Sequence, residues 1–217
     1  MATSNPLTSP VSVLILAGGP SSRMGADKAW LEIDGQPMIA RVLRRALPVA
    51  AETIISTNEP GRFRAVAEAF PLPALVVTDR MGAGPLAGLH AGLSVASHEL
   101  VVALGTDMPF VDPEVLSYLI GLAGGYDAVV PQVVNRNSGA AELEPLHAVY
   151  RTSCLGAIER HLRAGHRRMV AFLPDVRTCI VPWEQIALLD PGFRSFLNIN
   201  TPEDLTAARL LAKDLPE

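Results

Sequence analysis

Residues 11–28 have the sequence VSVLILAGGPSSRMGADK. It joins a run of apolar, mostly β-branched side chains, Val11 to Ala17, to a polar loop that holds adjacent glycines and ends at Lys28. A short apolar run bounded by turn residues predicts a buried strand. A glycine-bearing loop after a strand exposes backbone N–H groups to an anion, and Arg23 and Lys28 add cations that can pair with phosphate oxygens. The stretch therefore predicts a strand followed by a triphosphate-binding loop.

The loop matches neither of the two common glycine-rich phosphate motifs. It is not G-x-G-x-x-G, and it departs from G-x-x-x-x-G-K-[ST] because five residues separate Gly19 from Gly25 and Lys28 stands three residues beyond. From the residues alone, a surface loop with two solvated cations stays open as the alternative.

Beyond this loop, short apolar runs alternate with longer helical patterns, which predicts βαβ units around a mainly parallel sheet. The predicted strands are 11–17, 53–56, 75–78, 100–104, 127–129, 146–150 and 178–181. The predicted helices are 37–47, 61–70, 85–97, 113–122, 152–164 and 202–211, with Asp112 and Thr201 as N-caps of the fourth and the last. Residues 1–10 are expected to form a loose, disordered tail, and residues 11–217 a single domain.

Composition excludes several classes of function. The chain has 217 residues, 49% hydrophobic and 18% charged, which is typical of a folded globular protein. A net charge of −4 gives no basic footprint for a nucleic acid or an anionic membrane, and the apolar run at residues 11–17 is too short to cross a bilayer. The two cysteines, Cys154 and Cys179, form no disulfide framework. We therefore expect a soluble, cytoplasmic protein.

Polar or glycine residues follow four consecutive predicted strands, at Gly18–Gly19, Asn58, Asp79 and Asp107. Ligands of open parallel sheets bind beyond the carboxyl ends of the strands, so these residues are candidates for one site. A carboxylate is a hard oxygen ligand, and Mg²⁺ usually takes one or two of them together with phosphate oxygens and water. An ordinary set of polar turns remains equally compatible with this pattern.

The first loop also carries a family resemblance. Leu16–Gly19, followed by Ser22-Arg23-Met24-Gly25 and Asp27-Lys28, resembles the signature loop of the nucleotidyltransferases related to molybdenum cofactor guanylyltransferase, the MobA family. Later segments agree in order, namely ISTN at 55–58, VTD at 77–79, GPLAG at 84–88, TDMP at 106–109, PLHAVY at 145–150 and NINTPEDL at 198–205. The likeness spans residues 11–212, and the later segments favour the guanylyl branch over related enzymes that share the first loop.

The resemblance implies a three-layer α/β/α structure with a mainly parallel, mixed sheet, the Rossmann-like nucleotide-diphospho-sugar transferase fold. It implies transfer of GMP from GTP to the terminal phosphate of molybdopterin or Mo-molybdopterin, dependent on Mg²⁺ and releasing pyrophosphate. The N-terminal half would bind the nucleotide and the C-terminal half the acceptor, with transient contacts to molybdenum-cofactor insertion proteins. The alternatives are a sibling that uses CTP or another phosphorylated acceptor, and a catalytically idle nucleotide-binding module.

The resemblance also assigns roles to individual residues. The nucleotide would be held by Leu16, Ala17, Gly18, Gly19, Lys28, Asn58 and Asp79, the metal by Asp107, and the catalytic set would be Arg23, Lys28 and Asp107. The acceptor would be held by Arg167, Arg168, Asn198 and Asn200, beside Arg163 and His166.

The basic cluster and Asn200 also have alternative roles. A charge cluster is more often a solvated face than a binding site, and for Asn200 a role in satisfying the backbone before the last helix is equally compatible with the sequence. His147 lies in an apolar run, which favours a satisfied core histidine.

Overall fold

The structure, a computed structural model, describes residues 9–18, 28–78, 81–82, 84–134 and 139–213. Within these ranges the α-helices are α1 (Met38–Ala46), α2 (Pro60–Ala69), α3 (Pro85–Val95), α4 (Pro113–Gly121), α5 (Leu155–Arg163), α6 (Trp183–Leu189) and α7 (Pro202–Lys213). The strands are β1 (Val11–Leu16), β2 (Glu32–Ile33), β3 (Gln36–Pro37), β4 (Glu52–Ser56), β5 (Ala74–Val77), β6 (Leu100–Gly105), β7 (Ala128–Val134), β8 (Ala141–Leu143), β9 (His147–Arg151) and β10 (Thr178–Val181).

The main sheet follows the order β10-β7-β9-β6-β1-β4-β5, and β8 pairs with β7 beside this path. Neighbours from β6 through β1 and β4 to β5 are all parallel, and β10 is parallel to β7. Strand β9 runs antiparallel to both β6 and β7. The predicted mainly parallel, mixed sheet is therefore confirmed.

Strand β1 is buried on both faces, as expected for the centre of a parallel sheet covered by helices. Val13 and Ile15 belong to the core beneath α1 and α4, and Leu14 and Leu16 belong to the core beneath α3 and α5. Alternate side chains of β1 thus belong to two separate cores, one on each face of the sheet. The sheet lies between two layers of helices, so the architecture is three-layered, α/β/α.

Helix α3 lies very close to the sheet because it has glycines where the contact is tightest. A Cβ on Gly88 would lie 3.1 Å from Leu16 Cδ2 and 3.3 Å from Ser56 Oγ, and a Cβ on Gly92 would lie 2.8 Å from Leu14 Cγ. These two residues are one helical turn apart and face β1 and β4 together.

The predicted elements are confirmed, with ends that mostly differ by one or two residues. The main correction concerns β7, which was predicted to close at Val129 and continues to Val134. Pro131 has no N–H to donate, but its carbonyl accepts a hydrogen bond from Glu144 N–H at 2.9 Å, so pairing continues past it. The sequence pattern did not predict α6, β8 or the hairpin β2–β3. The predicted turn at residues 135–139 lies outside the described residues except for Gly139, as does the predicted tail except for Ser9 and Pro10.

Candidate active site

The predicted site residues follow neighbouring strands along one edge of the sheet. Asp107 follows β6, Gly18 follows β1 and Asn58 follows β4, and these three strands are adjacent and parallel. From β1 the chain proceeds to β4 on one side, whereas β6 lies on the other side. Asp107 and Gly18 therefore flank the point at which the strand order reverses, where open α/β sheets bind their ligands.

Lys28, Asp107 and Asn200 come together at this point. The Lys28 ammonium donates a hydrogen bond to Asn200 Oδ1 at 2.6 Å and lies 3.8 Å from Asp107 Oδ2. About a quarter of each side chain of the ion pair is exposed, 23% for Lys28 and 25% for Asp107. The three side chains thus form one cluster that stays open to a ligand.

The position of Lys28 is fixed by the turn and hairpin that follow it. Lys28 begins a short 3₁₀ turn, Lys28–Trp30, whose last side chain packs on Phe63 of α2 with ring centroids 5.4 Å apart. The hairpin then closes through Asp34 and Gly35, whose φ values of 55° and 71° lie in the left-handed region. An Asp-Gly pair is the usual solution for such a tight turn, so the sequence contained a signal for this hairpin.

Asp107 is held close to the backbone at the end of β6. A Cβ on Gly105 would lie 2.6 Å from Asp107 Oδ1, so a larger residue at position 105 would displace this carboxylate from its place. Burial raises the pKa of Asp107 above its ordinary value, while the nearby Lys28 ammonium acts in the opposite direction. A partly desolvated carboxylate next to one cation is a group whose ionised form gains from further positive charge.

The segment before α7 brings both asparagines to the cluster. Ile199 N–H donates to Asp107 carbonyl at 2.9 Å, and Ile199 itself is buried. Asn198 Nδ2 lies 3.5 Å from Glu144 Oε2, whereas Asn200 accepts from Lys28. The two amides on either side of the buried Ile199 thus contact Glu144 and Lys28.

The start of α7 is capped by other residues than Asn200. Asp204 Oδ2 accepts hydrogen bonds from the N–H groups of Asn200 and Thr201, at 2.9 and 2.8 Å, and Thr201 Oγ1 accepts from Asp204 N–H at 3.1 Å. This is a reciprocal capping box and confirms Thr201 as N-cap. The backbone at the start of the helix is satisfied without the Asn200 side chain, which is left to contact Lys28.

Glu144 belongs to the same cluster, although the sequence pattern did not single it out. Burial raises its pKa, and the negative charge of Asp107 raises it further, while the hydrogen bond from Leu146 N–H to Oε1 at 3.2 Å lowers it. The available signal was its position directly before the PLHAVY segment, whose β9 lies beside β6. A predicted pairing of these two strands would have brought Glu144 toward Asp107.

The other nucleotide residues are placed as far as the structure describes them. Leu16 and Ala17 are buried at the end of β1, Gly18 is exposed beyond it, and Asn58 is exposed beyond β4. Ala17 N–H donates to Ser56 carbonyl at 2.8 Å, so the pairing of β1 with β4 extends to the edge of the site. Gly19, Arg23 and Asp79 lie outside the described residues, and their roles stay predictions.

Three members of the basic cluster contact described residues, and the fourth is exposed. Arg163 pairs with Glu159 on its own helix at 2.8 Å, and His166 Nδ1 lies 2.8 Å from His161 Nδ1. Arg167 donates to Leu162 carbonyl at 3.1 Å and packs against Gly82, whose Cβ position would lie 3.3 Å from its Nη2. Arg168 is exposed. The cluster therefore touches the loop after β5, and none of its members reaches Lys28 in a described contact.

His147 confirms the prediction of a core histidine, with one qualification. It is fully buried in β9, and its Nε2 lies 3.3 Å from Ser195 Oγ. Its Nδ1 finds no hydrogen-bond partner among the described residues. Burial lowers the pKa of His147 to about 3, so the imidazole is neutral at ordinary pH.

The fold and this cluster define the class: an α/β protein with a ligand site at the switch point of a mainly parallel sheet. The particular family follows from comparison with known sequences. Residues 13–177 match the MobA-like NTP transferase domain. The chain belongs to this family and is a nucleotidyltransferase.

Relatives and solved structures agree with this membership. A protein of Pelotomaculum thermopropionicum named "Probable molybdenum cofactor guanylyltransferase" is 39% identical, with 93% of each chain covered. The "Molybdenum cofactor guanylyltransferase" of Desulfosudis oleivorans is 35% identical over 94% of this chain and 96% of its own. The molybdopterin-guanine dinucleotide biosynthesis protein A of Archaeoglobus fulgidus has a TM-score of 0.78 and 29% identity, covering 94% of this chain and 100% of its own.

A more distant solved structure shows the fold alone. The 4-diphosphocytidyl-2C-methyl-D-erythritol synthase of Anaerococcus prevotii has a TM-score of 0.71 but only 15% identity. Its likeness confirms the expected nucleotide-diphospho-sugar transferase fold. Within the described residues, none of the helices is long and apolar enough to cross a membrane.

Proposed function

We propose that this chain transfers GMP from GTP to the terminal phosphate of molybdopterin or Mo-molybdopterin. The observation that carries the proposal is likeness along nearly the whole chain to relatives that bear the name molybdenum cofactor guanylyltransferase, at 39% and 35% identity. The geometry supports the reaction class because Lys28, Asp107 and Asn200 meet where the sheet binds ligands. The names alone support guanine and molybdopterin over other bases and acceptors.

The reaction needs no nucleophile from the protein. A phosphate oxygen of molybdopterin attacks the α-phosphorus of GTP, the bond from that phosphorus to the bridging oxygen breaks, and pyrophosphate leaves. The acceptor phosphate is already an anion near neutral pH. The task of the chain is therefore to align two anions and to neutralise charge on the triphosphate, which suits the Lys28 ammonium and the exposed backbone at Gly18.

The donor set fits Mg²⁺. Asp107 would hold it, with Glu144 and the amide oxygens of Asn198 and Asn200 as the further hard oxygen donors nearby. Among the described residues no group of three His, Cys, Asp or Glu side chains is arranged to hold a metal. Mg²⁺ is usually held by one or two carboxylates plus substrate phosphates, and Asp107 and Glu144 are the two carboxylates of this cluster. When bound, it neutralises triphosphate charge and polarises the α-phosphate.

The two substrates are assigned to two halves of a single domain. Leu16 to Gly19, Arg23 and Lys28 would bind the phosphates and base of GTP, and Asn58 and Asp79 its nucleoside. Arg167, Arg168, Asn198 and Asn200 would serve the acceptor. We further propose a cytoplasmic location and transient contact with insertion proteins, since the product is a finished cofactor that another protein must receive.

Calorimetric titration with each nucleoside triphosphate and Mg²⁺ tests the base assignment. GTP should bind at least about tenfold more tightly than CTP, UTP or ATP, equivalent to about 1.4 kcal/mol. Pyrophosphate release should then require molybdopterin. Equal or tighter binding of CTP would support the cytidylyl alternative, and binding without turnover would support an idle nucleotide-binding module.

A further inference from the structure

The segment between α6 and α7, residues 190–200, carries two of the four proposed acceptor residues but contains little regular structure. Its one described regular turn is the short 3₁₀ turn Arg194–Phe196. The end nearest α7 is tied to the site through Ile199 N–H and the Asp107 carbonyl. The other end must be fixed as well, because Asn198 and Asn200 can meet Glu144 and Lys28 only if the whole segment keeps its path.

Ser195 provides that second anchor. It is fully buried, its Oγ accepts a hydrogen bond from Asp112 N–H at 2.9 Å, and its own N–H donates to Asp190 Oδ2 at 2.8 Å. Asp112 caps α4, which begins soon after β6 and Asp107. One hydroxyl therefore joins the segment to the same stretch of chain that carries the proposed metal ligand.

His147 completes the anchor from the sheet. Its Nε2 lies 3.3 Å from Ser195 Oγ, and its ring packs at a tilt of 40° against Phe196 with centroids 4.3 Å apart. In the antiparallel register His147 faces Leu104 of β6, three residues before Asp107. The serine is thus held from both the N-cap of α4 and β9; its contact with His147 is buried, and its contact with Asp112 is partly buried.

We propose that Ser195, held by His147 and the backbone of Asp112, is a positioning residue that places Asn198 and Asn200 against Glu144 and Lys28. Ser195 itself does not contact Lys28 or Asp107 in the structure; it acts through Phe196 and Leu197, the two residues between it and Asn198. The inference rests on the proposed function, because it assigns to this anchor the geometry of the nucleotidyl-transfer site.

The chain offers a matched control at the opposite end of the parallel strands. Ser12, the second residue of β1, is also fully buried, and its Oγ donates to Glu52 Oε2 at 2.5 Å and lies 3.1 Å from His98 Nδ1. Like Ser195, it joins two segments through one hydroxyl beside a histidine. Ser12→Ala removes the same atom from a comparable environment far from the carboxyl ends of the strands.

The experiment compares Ser195→Ala with Ser12→Ala in the full chain. Both variants should fold and unfold at lower denaturant concentration than the wild type. Ser195→Ala should lower kcat by about tenfold, since sub-ångström displacement of aligning groups is costly, while KM for GTP stays within about twofold. Ser12→Ala should leave kcat within about twofold once the folded fraction is corrected. Equal effects of the two substitutions on kcat would overturn the proposal.

A double substitution asks whether Ser195 acts through Asn200. Since the serine only positions the asparagine, Ser195→Ala should reduce kcat little further when Asn200→Ala is already present, whereas Ser12→Ala and Asn200→Ala should combine independently. If the loss of kcat in the double variant equals the product of the losses in Ser195→Ala and Asn200→Ala, the positioning role is contradicted. His147→Gln, whose amide can occupy the place of Nε2, should keep more activity than His147→Leu.

Failure of the proposed function is distinguishable from failure of this inference. If the wild type does not transfer GMP to molybdopterin, the proposed function falls, but calorimetry with Mn²⁺ and GTP still compares the variants. Ser195→Ala should then weaken metal binding in the presence of GTP by at least about threefold relative to Ser12→Ala. Identical metal binding in the two variants would overturn the inference by this second readout.

Discussion

The pKa of the Asp107 carboxyl group depends on the surroundings of this side chain. Because burial raises its pKa, its ionised form is disfavoured on folding. The protonated carboxyl group of Asp107 therefore contributes stability at pH values below its unfolded pKa. This contribution is lost as the pH rises through the higher pKa of the folded state. Asp107→Asn should therefore leave the free energy of unfolding at pH 7 unchanged or increased, while turnover and its dependence on Mg²⁺ are mostly lost.

Denaturant unfolding at pH 7 and Mg²⁺ titration of turnover check both halves of the Asp107 prediction. A variant that is inactive because it unfolds would show that the carboxylate is structural. Turnover near the wild-type value would show that the metal is held elsewhere.

His147 makes a second prediction at the residue scale, through pH. Its pKa is about 3 in the folded chain and 6.5 in the unfolded chain. Between these two pH values the unfolded chain binds a proton on this imidazole and the folded chain does not. The contribution to stability is complete above pH 6.5 and is lost as pH falls toward 3. Between pH 7 and pH 5 the wild type should lose about 2 kcal/mol relative to His147→Gln, which does not titrate.

Unfolding curves of wild type and His147→Gln at several pH values provide the measurement. The comparison cancels the opposite trends of Asp107 and Glu144, whose pKa values are raised in both proteins. Parallel pH profiles would mean that the imidazole is protonated, or reaches water, in the native state.

The sequence predicts the site residues that belong to short motifs more readily than those that depend on tertiary contacts. Lys28 and Asp107 are recognisable because each stands at a fixed place after a strand. Glu144 is not, because its proximity to Asp107 arises from an antiparallel strand inserted into a parallel sheet. The contact of Asn200 with Lys28 joins residues 172 positions apart, and no local pattern could choose it over a role at the start of α7.

At the element scale, the close packing of α3 on β1 links the fold to the phosphate loop. Gly92→Ala would force a Cβ against Leu14 of β1, and an overpacked core contact costs about 1–3 kcal/mol. Because β1 leads into the loop, GTP affinity should also fall. Gly61→Ala in α2 is the control, since a Cβ there meets nothing within 4 Å, and its stability should change by less than about 1 kcal/mol.

Urea unfolding and GTP calorimetry on both alanine variants test this coupling. Unchanged stability of Gly92→Ala would show that the helix can move away from the strand without loss. Loss of stability with unchanged GTP affinity would show that the loop after β1 is independent of this contact.

The elements that sequence reasoning missed are those with weak local patterns. Helix α6 has seven residues, and Leu188 is 84% exposed, so its apolar side chains do not mark one buried face. Strand β8 has three residues, two of them exposed, and is defined only by its pairing with β7. The long apolar strands β1 and β6, by contrast, were predicted to within a residue because burial on both faces leaves an unbroken apolar run.

At the scale of the whole molecule, the two halves are expected to serve different substrates. Lys28 follows the first strand and faces Asp107, whereas Arg168 is exposed before the 3₁₀ helix Met169–Asp175 in the second half. Lys28→Ala should therefore reduce turnover with GTP at any molybdopterin concentration, since the lost charge faces the triphosphate and its transition state. Arg168→Ala should weaken molybdopterin binding and leave GTP affinity within about twofold, under about 0.5 kcal/mol.

Arg177 supplies the matched control for the loss of an exposed arginine. It pairs with Asp127 at 3.1 Å directly before β10, at the edge of the sheet opposite the site, and its side chain is 69% exposed. Arg177→Ala removes the same charge but should leave the affinity for either substrate unchanged. Exposed charges that lie more than a Debye length apart are largely screened by salt. Calorimetry with GTP and with molybdopterin separately on all three variants decides the matter. A large GTP defect in Arg168→Ala, or equal molybdopterin defects in Arg168→Ala and Arg177→Ala, would contradict the division between the halves.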